Sequence, residues 1–265
     1  MQLDPSAVEA GVRLAALASV DSTNKEALNR ARHGERGPLW VTAATQTAGR
    51  GRMDRSWTSP PGNLYASLYL AAPSPIERAP ELAFVSALAL RDAMIAEASG
   101  LAPQLAFKWP NDLLLGGEKC AGILIEGEVD PGRSLIVVIG IGVNCVTHPT
   151  AAAFPATDLR AHRAEVTPEQ LFRRLSATMR ARIGQWDRGN GFAAILGDWL
   201  GAARGIGEEI RVRNGGSEKS GRFVGLDQSG RLVLLLADGN TEKISAGDVF
   251  PFAKSGGQRI PSRAD

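Results

Sequence analysis

Between residues 39 and 144 the chain alternates short apolar runs with turn residues. The runs 39–45, 64–70, 105–109, 112–115, 121–128 and 135–144 are apolar or alternate at period two, and they predict strands. Leu135-Ile136-Val137-Val138-Ile139 is continuous rather than alternating, which suits a strand buried on both faces. Gly116-Gly117, between Leu115 and Lys119, signals a hairpin turn because glycine reaches positive φ without a Cβ clash. Helices interrupt the strands. Thr23 followed by Glu26 has the spacing of a capping box, opening a helix that ends near Gly34. Leu82, Val85, Leu88 and Ile95 give helical spacing over 81–99, with Gly100 as the stop. Thr167-Pro168-Glu169-Gln170 supplies a cap, a first-turn proline and an acid ahead of a helix running to about Trp186. Strands mixed with helices, without regular βαβ alternation, predict an α+β fold with a mixed sheet.

The pattern changes near 201–207. Four short runs follow, 209–213, 222–226, 232–236 and 241–244, separated by Asn214-Gly215-Gly216, residues 227–230 and Asp238-Gly239-Asn240. This is the punctuation of a small antiparallel barrel. The last dozen residues, rich in Gly, Ser and Arg, read as a frayed tail. The expected organisation is a domain over 1–204, a small β domain over 205–253 and a disordered tail over 254–265. A length of 265 residues allows a domain of roughly 200 residues plus a small module.

Composition narrows the classes. Hydrophobic residues at 44% and charged residues at 22% argue against general disorder. No apolar run approaches the roughly 20 residues that cross a bilayer. The start of the chain carries Asp4 and Glu9 and lacks the basic, then apolar, build of a signal peptide, so a cytoplasmic protein is the simplest reading. Two cysteines, Cys120 and Cys145, cannot make a disulfide framework, and three scattered histidines make no zinc spacing. Cys120 reads as a small buried hydrophobe, having no histidine near it in sequence. A net charge of +2 lacks the basic excess expected of a protein that binds DNA through its phosphates.

Four stretches have residue types suited to chemistry. Gly49-Arg50-Gly51-Arg52-Met53-Asp54-Arg55-Ser56-Trp57 follows a strand; its glycines allow close backbone approach and its guanidinium groups pair with carboxylate or phosphate. It fits neither a dinucleotide fingerprint nor a phosphate-loop motif, and alone it reads equally well as a solvated basic loop. Lys108-Trp109-Pro110-Asn111-Asp112 precedes Lys119-Cys120-Ala121-Gly122-Ile123-Leu124-Ile125-Glu126, in which Lys119 stands where a hairpin returns to a central strand. Lys119 alone would be surface decoration. Gly140-Ile141-Gly142-Val143-Asn144 places glycines at alternate strand positions, as a flat ligand or a packed element requires. Asp21-Ser22-Thr23-Asn24 alone would be helix capping.

Taken together and in order, these motifs closely resemble those of biotin–protein ligases, from about residue 19 to residue 145. The C-terminal β module resembles the SH3-like domain of that family less sharply. The resemblance implies a catalytic fold akin to the class II aminoacyl-tRNA synthetase core and a short form without an N-terminal DNA-binding domain. It implies that biotin and ATP, with Mg²⁺, give biotinyl-5′-AMP, and that biotin then passes to a lysine of a biotin carboxyl carrier protein of acetyl-CoA carboxylase or a related carboxylase. By the same resemblance Lys119, Arg52 and Asp112 are catalytic, with Asp112 handling the proton of the incoming lysine. Ser22, Thr23, Asn24, Gln46, Arg50, Gly51, Arg52, Lys119, Gly122, Gly140 and Gly142 line the biotin site. Arg52, Trp57, Asn111, Lys119 and Asn144 contact the nucleotide, with Trp57 on adenine.

Three other readings stay open. A lipoate– or octanoyl–protein ligase would act on a flexible acyl chain, although the glycine–arginine loop resembles the biotin branch better. A DNA-binding repressor is disfavoured, because only about 20 residues precede Asp21. A non-catalytic binding protein is disfavoured by the presence of both Arg52 and Lys119. No DNA or membrane partner is expected. The chain is expected to be a monomer or homodimer, and the strands within 121–144 are candidates to expose an edge to a partner.

Overall fold

The computed structural model describes residues 1–129, 135–150 and 154–251. The chain divides into two compact units, Met1–Arg204 with Gln228–Gly230, and Gly205–Asp227 with the chain from Arg231. The expected tail, 254–265, lies outside the described residues.

The first unit runs α1 (Pro5–Glu9), β1 (Arg13–Val20), α2 (Thr23–Arg32), β2 (Leu39–Gln46), β3 (Leu64–Ala71), α3 (Leu82–Glu97), β4 (Leu105–Lys108), β5 (Asp112–Leu115), β6 (Glu118–Val129), β7 (Leu135–Val143), α4 (Pro168–Trp186) and α5 (Phe192–Leu200). Its sheet has seven strands in the order β1-β2-β3-β7-β6-β5-β4. The β1–β2 pair is parallel and the others are antiparallel, so the α+β, mixed-sheet expectation is borne out.

Both faces of the sheet centre are covered. Leu39 and Val41 on β2 join Tyr69, Val138 and the α2 residues Ala27, Leu28 and Ala31 in one core. Trp40, lying between them in sequence, turns to the opposite face and meets Phe172 of α4 edge-on at 5.4 Å. Runs 39–45 and 64–70 therefore read as nearly continuous apolar stretches. Gly116 and Gly117 turn β5 into β6 at φ 61° and 91°. At the start of α4, Gln170 N donates to Thr167 Oγ1 and Thr167 N donates to Gln170 Oε1, which completes a capping box.

The structure corrects several expectations. The cap of α2 is Ser22 rather than Thr23, and no capping box forms there. The Thr23 hydroxyl is taken by Gln46, while Glu26 pairs with Arg30 one turn along at 2.7 Å. Gly100 lies beyond the end of α3, in a 3₁₀ turn over Ser99–Gln104. Strand β1 was not predicted: its partly exposed, alanine-rich sequence sits at the sheet edge, where packing imposes little pattern. Helices α1 and α5 were also missed. Within 121–144, β7 is interior, between β3 and β6, whereas β5 stops opposite Gly122, so residues 123–129 of β6 extend past it and keep the edge that was expected there.

The second unit contains β8 (Glu209–Asn214), β9 (Ser217–Leu226), β10 (Leu232–Leu235), β11 (Thr241–Ile244) and β12 (Asp248–Pro251). They form an antiparallel sheet in the order β11-β10-β9-β8-β12. Ile210, Val212, Phe223, Leu232 and Leu234 form its buried side. Five strands stand where four runs were read. The missed β12 is short, and the first four residues of β9, Ser217-Glu218-Lys219-Ser220, are polar and exposed, so they give no apolar signal.

Candidate active site

Strand register builds the floor of the site. Tyr65, Gly142 and Gly122 lie directly opposite one another across β3, β7 and β6, and Ser67, Gly140 and Leu124 form the next row. Residues opposite one another share a face, here the face that carries α2. Gly142 and Gly122 thus leave bare backbone side by side. The Trp57 indole lies on it: a Cβ on Gly142 would fall 2.6 Å from the ring, and one on Gly122 would fall 3.0 Å from it. The ring gains apolar burial there, but Trp57 Nε1 is buried without a hydrogen-bond partner.

Residues 49–57 fold as a hairpin over this floor. Trp57 N donates to Gly49 O at 2.9 Å, Gly51 N to Arg55 O at 2.6 Å and Arg55 N to Arg52 O at 3.2 Å. The tip is Met53-Asp54, at φ 53° and 56°, the doubly positive pattern of a type I′ turn without the glycine that usually relieves it. Gly49 is needed here, since a Cβ would fall 2.4 Å from Trp57 O. From the hairpin, Arg52 Nη1 donates to Asn111 Oδ1 at 3.0 Å and Arg50 Nη2 to Glu126 Oε2 at 2.8 Å.

A bulge aims Lys119. Leu113 pairs with Ala121 but Leu114 pairs with Lys119, so Cys120 is an extra residue in β6. Regular alternation would put Lys119 and Gly122, three apart, on opposite faces; the extra residue brings them to the same one. The Lys119 ammonium sits 2.6 Å from Asp112 Oδ1 and 5.4 Å from the Trp57 ring centre. Its backbone N and O bond to Pro155 O and Thr157 N. Lys108, opposite Asp112 across the β4–β5 turn, approaches Asp112 Oδ2 at 3.9 Å and lies 3.7 Å from the centre of the Phe154 ring.

The α2 side of the site is a belt of polar contacts. Gln46 Oε1 accepts from Thr23 N and Thr23 Oγ1, while Gln46 Nε2 donates to Ser59 Oγ, which donates in turn to Trp57 O. Asn24 Nδ2 donates to Glu126 Oε2 at 2.7 Å. Ser67 Oγ lies 2.6 Å from Asn24 Oδ1 and 2.8 Å from Thr23 Oγ1, and its single hydrogen serves one of them at a time. Ser22, Thr23, Asn24 and Ser67 are buried.

The structure gathers Thr23, Asn24, Gln46, Arg50, Arg52, Trp57, Asn111, Asp112, Lys119, Gly122, Gly140 and Gly142 around one face. Several positions differ from the sequence reading. Gly140 makes room for Asn24 rather than for a flat ligand, because a Cβ there would fall 2.2 Å from Asn24 Oδ1. Trp57 lies on the glycine floor assigned to biotin. Gly51 contributes its N–H to the hairpin. Asn111 seats Arg52 and ties to the middle of β6, donating through Nδ2 to Ile123 O while its backbone carbonyl accepts from Ile123 N. Asn144 is buried, and its Nδ2 donates to Thr157 O. Ser22 makes no side-chain capping bond.

Sequence reading missed Ser59, Ser67, Phe154 and a role for Glu126. A buried serine inside the apolar run Leu64-Tyr65-Ala66-Ser67-Leu68 is a usable signal; the others come from distant segments. Both cysteines are buried and free; burial was expected of Cys120. Burial pushes the Cys145 thiol up to about 12 and the Cys120 thiol well above its ordinary value, which suits neither as a nucleophile. Among the described residues no cluster of three His, Cys, Asp or Glu side chains could hold a metal, and no helix is long and apolar enough to cross a membrane.

Comparison with known proteins fits this geometry. The Biotin/lipoate A/B protein ligase family matches residues 16–144, and the Biotin protein ligase C terminal domain matches residues 205–250. The chain is 41% identical over 240 residues to a biotin–[acetyl-CoA-carboxylase] ligase of Paracoccus denitrificans, covering 88% of this chain and 98% of the relative. It is 33% identical to the bifunctional ligase/repressor BirA of Bacillus subtilis, covering 87% of this chain and 71% of that protein. Among solved structures, the Aquifex aeolicus biotin protein ligase in complex with biotin and ATP superposes with a TM-score of 0.73 at 26% identity, covering 90% of this chain and 97% of the other. The Leishmania major enzyme in complex with biotinyl-5-AMP gives 0.63 at 29% identity, covering 88% and 99%. Fold and site define a ligase. The chain belongs to the biotin–protein ligase family, and the resemblance read from its motifs is borne out.

Proposed function

We propose that this chain is an ATP-dependent biotin–protein ligase that acts in the cytoplasm in two steps. Biotin carboxylate attacks the α-phosphate of ATP, forming biotinyl-5′-AMP and releasing pyrophosphate. The lysine amine of a biotin carboxyl carrier protein then attacks the acyl carbon and displaces AMP. The observation that carries this reading is the convergence on one glycine floor of the arginine hairpin and the bulge-directed Lys119. The first step brings an anionic carboxylate to an anionic triphosphate, so its catalysis is charge neutralisation and alignment. Lys119 bridges the two anions from the strand side, and Arg52 holds the same centre from the hairpin. Mg²⁺ entering with ATP would supply further neutralisation of the phosphate charge.

Ser22, Thr23, Asn24, Gln46 and Arg50 form the biotin wall, and Gly122 and Gly142 form its floor, so Trp57 must leave the floor for the ligand to settle. The displaced ring then packs on adenine beside Asn111 and Asn144. Asp112 partners Lys119 at 2.6 Å. With Lys119 turned to phosphate, Asp112 receives or orients the proton of the acceptor lysine, whose free pKa of about 10.4 otherwise disfavours attack at neutral pH. The hairpin shields the mixed anhydride from water until the carrier docks. Residues 1–204 hold this chemistry, and 205–253 form the accessory domain.

ATP–pyrophosphate exchange tests the reading, with biotin or lipoate as the acid and label transfer to a purified carrier domain as the second readout. Biotin-dependent exchange followed by transfer is expected. Exchange with lipoate alone would move the protein to the neighbouring branch of the family, and no exchange with either would overturn the catalytic reading.

A further inference from the structure

Glu126 lies where β6 runs beyond β5, on the face that carries α2. One of its oxygens, Oε2, accepts two hydrogen bonds, from Asn24 Nδ2 at 2.7 Å and from Arg50 Nη2 at 2.8 Å. An ionised carboxylate only accepts, so the Asn24 amide must turn its nitrogen toward Glu126 and its oxygen toward Ser67. Asn24 is buried, and the absence of a side chain at Gly140 gives it room. Glu126 is therefore fixed from inside by a buried amide and presents its charge outward to the hairpin. Arg50 opens that hairpin, at its bridge to Ser56.

We propose that Glu126 is a positioning residue: it seats Arg50, and through Arg50 it sets the register of the 49–57 hairpin over the glycine floor. The role is distinct from ligand contact, because the acidic group would repel an anionic carboxylate directly. That repulsion gives the test a sign. If Glu126 acted only as a nearby negative charge, Glu126→Gln would tighten binding of a carboxylate ligand. If it positions Arg50, the same change loosens binding and loosens the hairpin. Glutamine keeps an acceptor for Asn24 and a weaker, neutral one for Arg50. The pair is partly exposed, with side-chain exposures of 39% for Arg50 and 25% for Glu126, so solvent limits the effect.

The experiment has two arms on the full chain. The first is limited trypsin digestion read by mass spectrometry, with cleavage after Arg52 and Arg55 reporting hairpin order. Glu126→Gln is expected to raise cleavage at these sites about three- to tenfold with other sites unchanged, and in an Arg50→Ala background to add nothing further. Unchanged cleavage in Glu126→Gln, uniform acceleration along the chain, or full additivity would each overturn the proposal. The second arm rests on the ligase reading: the KM for biotin in pyrophosphate exchange is expected to rise by a similar factor, with kcat changing less. A lowered KM would overturn the positioning role. A wild-type protein without exchange would defeat the ligase reading and leave the digestion arm to decide this one.

Discussion

Substituting Gly140 with alanine tests whether the belt around Asn24 is as tightly built as its distances imply. The new methyl carbon would stand 2.2 Å from Asn24 Oδ1, 2.8 Å from its Cγ and 2.9 Å from its Nδ2. Asn24 cannot swing aside cheaply, because Ser67 and Glu126 hold its two ends and it is buried. Overpacking of this kind costs about 1–3 kcal/mol. Losing a bond to a buried polar group adds about 1–3 kcal/mol. Replacing a strand glycine offsets about 0.5–1 kcal/mol. The expected net destabilisation is about 1–5.5 kcal/mol, which for a domain of this size lowers Tm by about 2–20 °C. Calorimetry of Gly140→Ala, Asn24→Ala and the double variant reads this directly. Because the double variant lacks the clashing amide, its loss should fall short of the summed single losses by at least about 1 kcal/mol. A Gly140→Ala protein melting within a degree of wild type, or strictly additive losses, would refute the reasoning.

Gly142→Ala is expected to behave differently: its Cβ meets the movable Trp57 ring, so Tm should change little while biotin affinity falls about 5- to 150-fold, as titration calorimetry would measure. Lys119→Ala is expected to lose adenylation by at least about 100-fold with biotin binding nearly kept; near-normal pyrophosphate exchange would remove Lys119 from the first step. Arg52→Gly is expected to release biotinyl-5′-AMP and to label lysines of a bystander protein such as albumin, and a retained intermediate with carrier-only labelling would count against the shielding role. Replacing Met53-Asp54 with Asn-Gly should relieve the doubly positive turn by about 1 kcal/mol and slow tryptic cleavage after Arg52 and Arg55; equal or faster cleavage would contradict the turn assignment.

Much of the sheet was legible because its centre is buried on both faces and its turns are marked by glycine. The run 112–115 coincides with β5, and the Thr167–Gln170 pattern forms the capping box it predicts. Legibility fails where burial stops writing a pattern. Edge strand β1, the polar opening of β9 and short β12 bury too little for alternation to show. At Thr23 the local capping signal was real in composition, yet a tertiary partner, Gln46, took the hydroxyl. In the site, residue types were readable and directions were not. The side on which Lys119 projects depends on one extra residue in β6, and no period reveals a bulge. The Ser67–Asn24–Glu126 contacts join three distant segments, so only folding brings them together.

Because an aromatic ring of the protein already covers the backbone of Gly122 and Gly142, a flat ligand reaching that floor exchanges one apolar surface for another. The net area withdrawn from water is the difference between the two, so the heat-capacity change on binding should be smaller than the ligand's own surface would give. The measured affinity is then a ratio, ligand against indole. A side chain nowhere in contact with the final complex could tune it by changing how comfortably Trp57 rests.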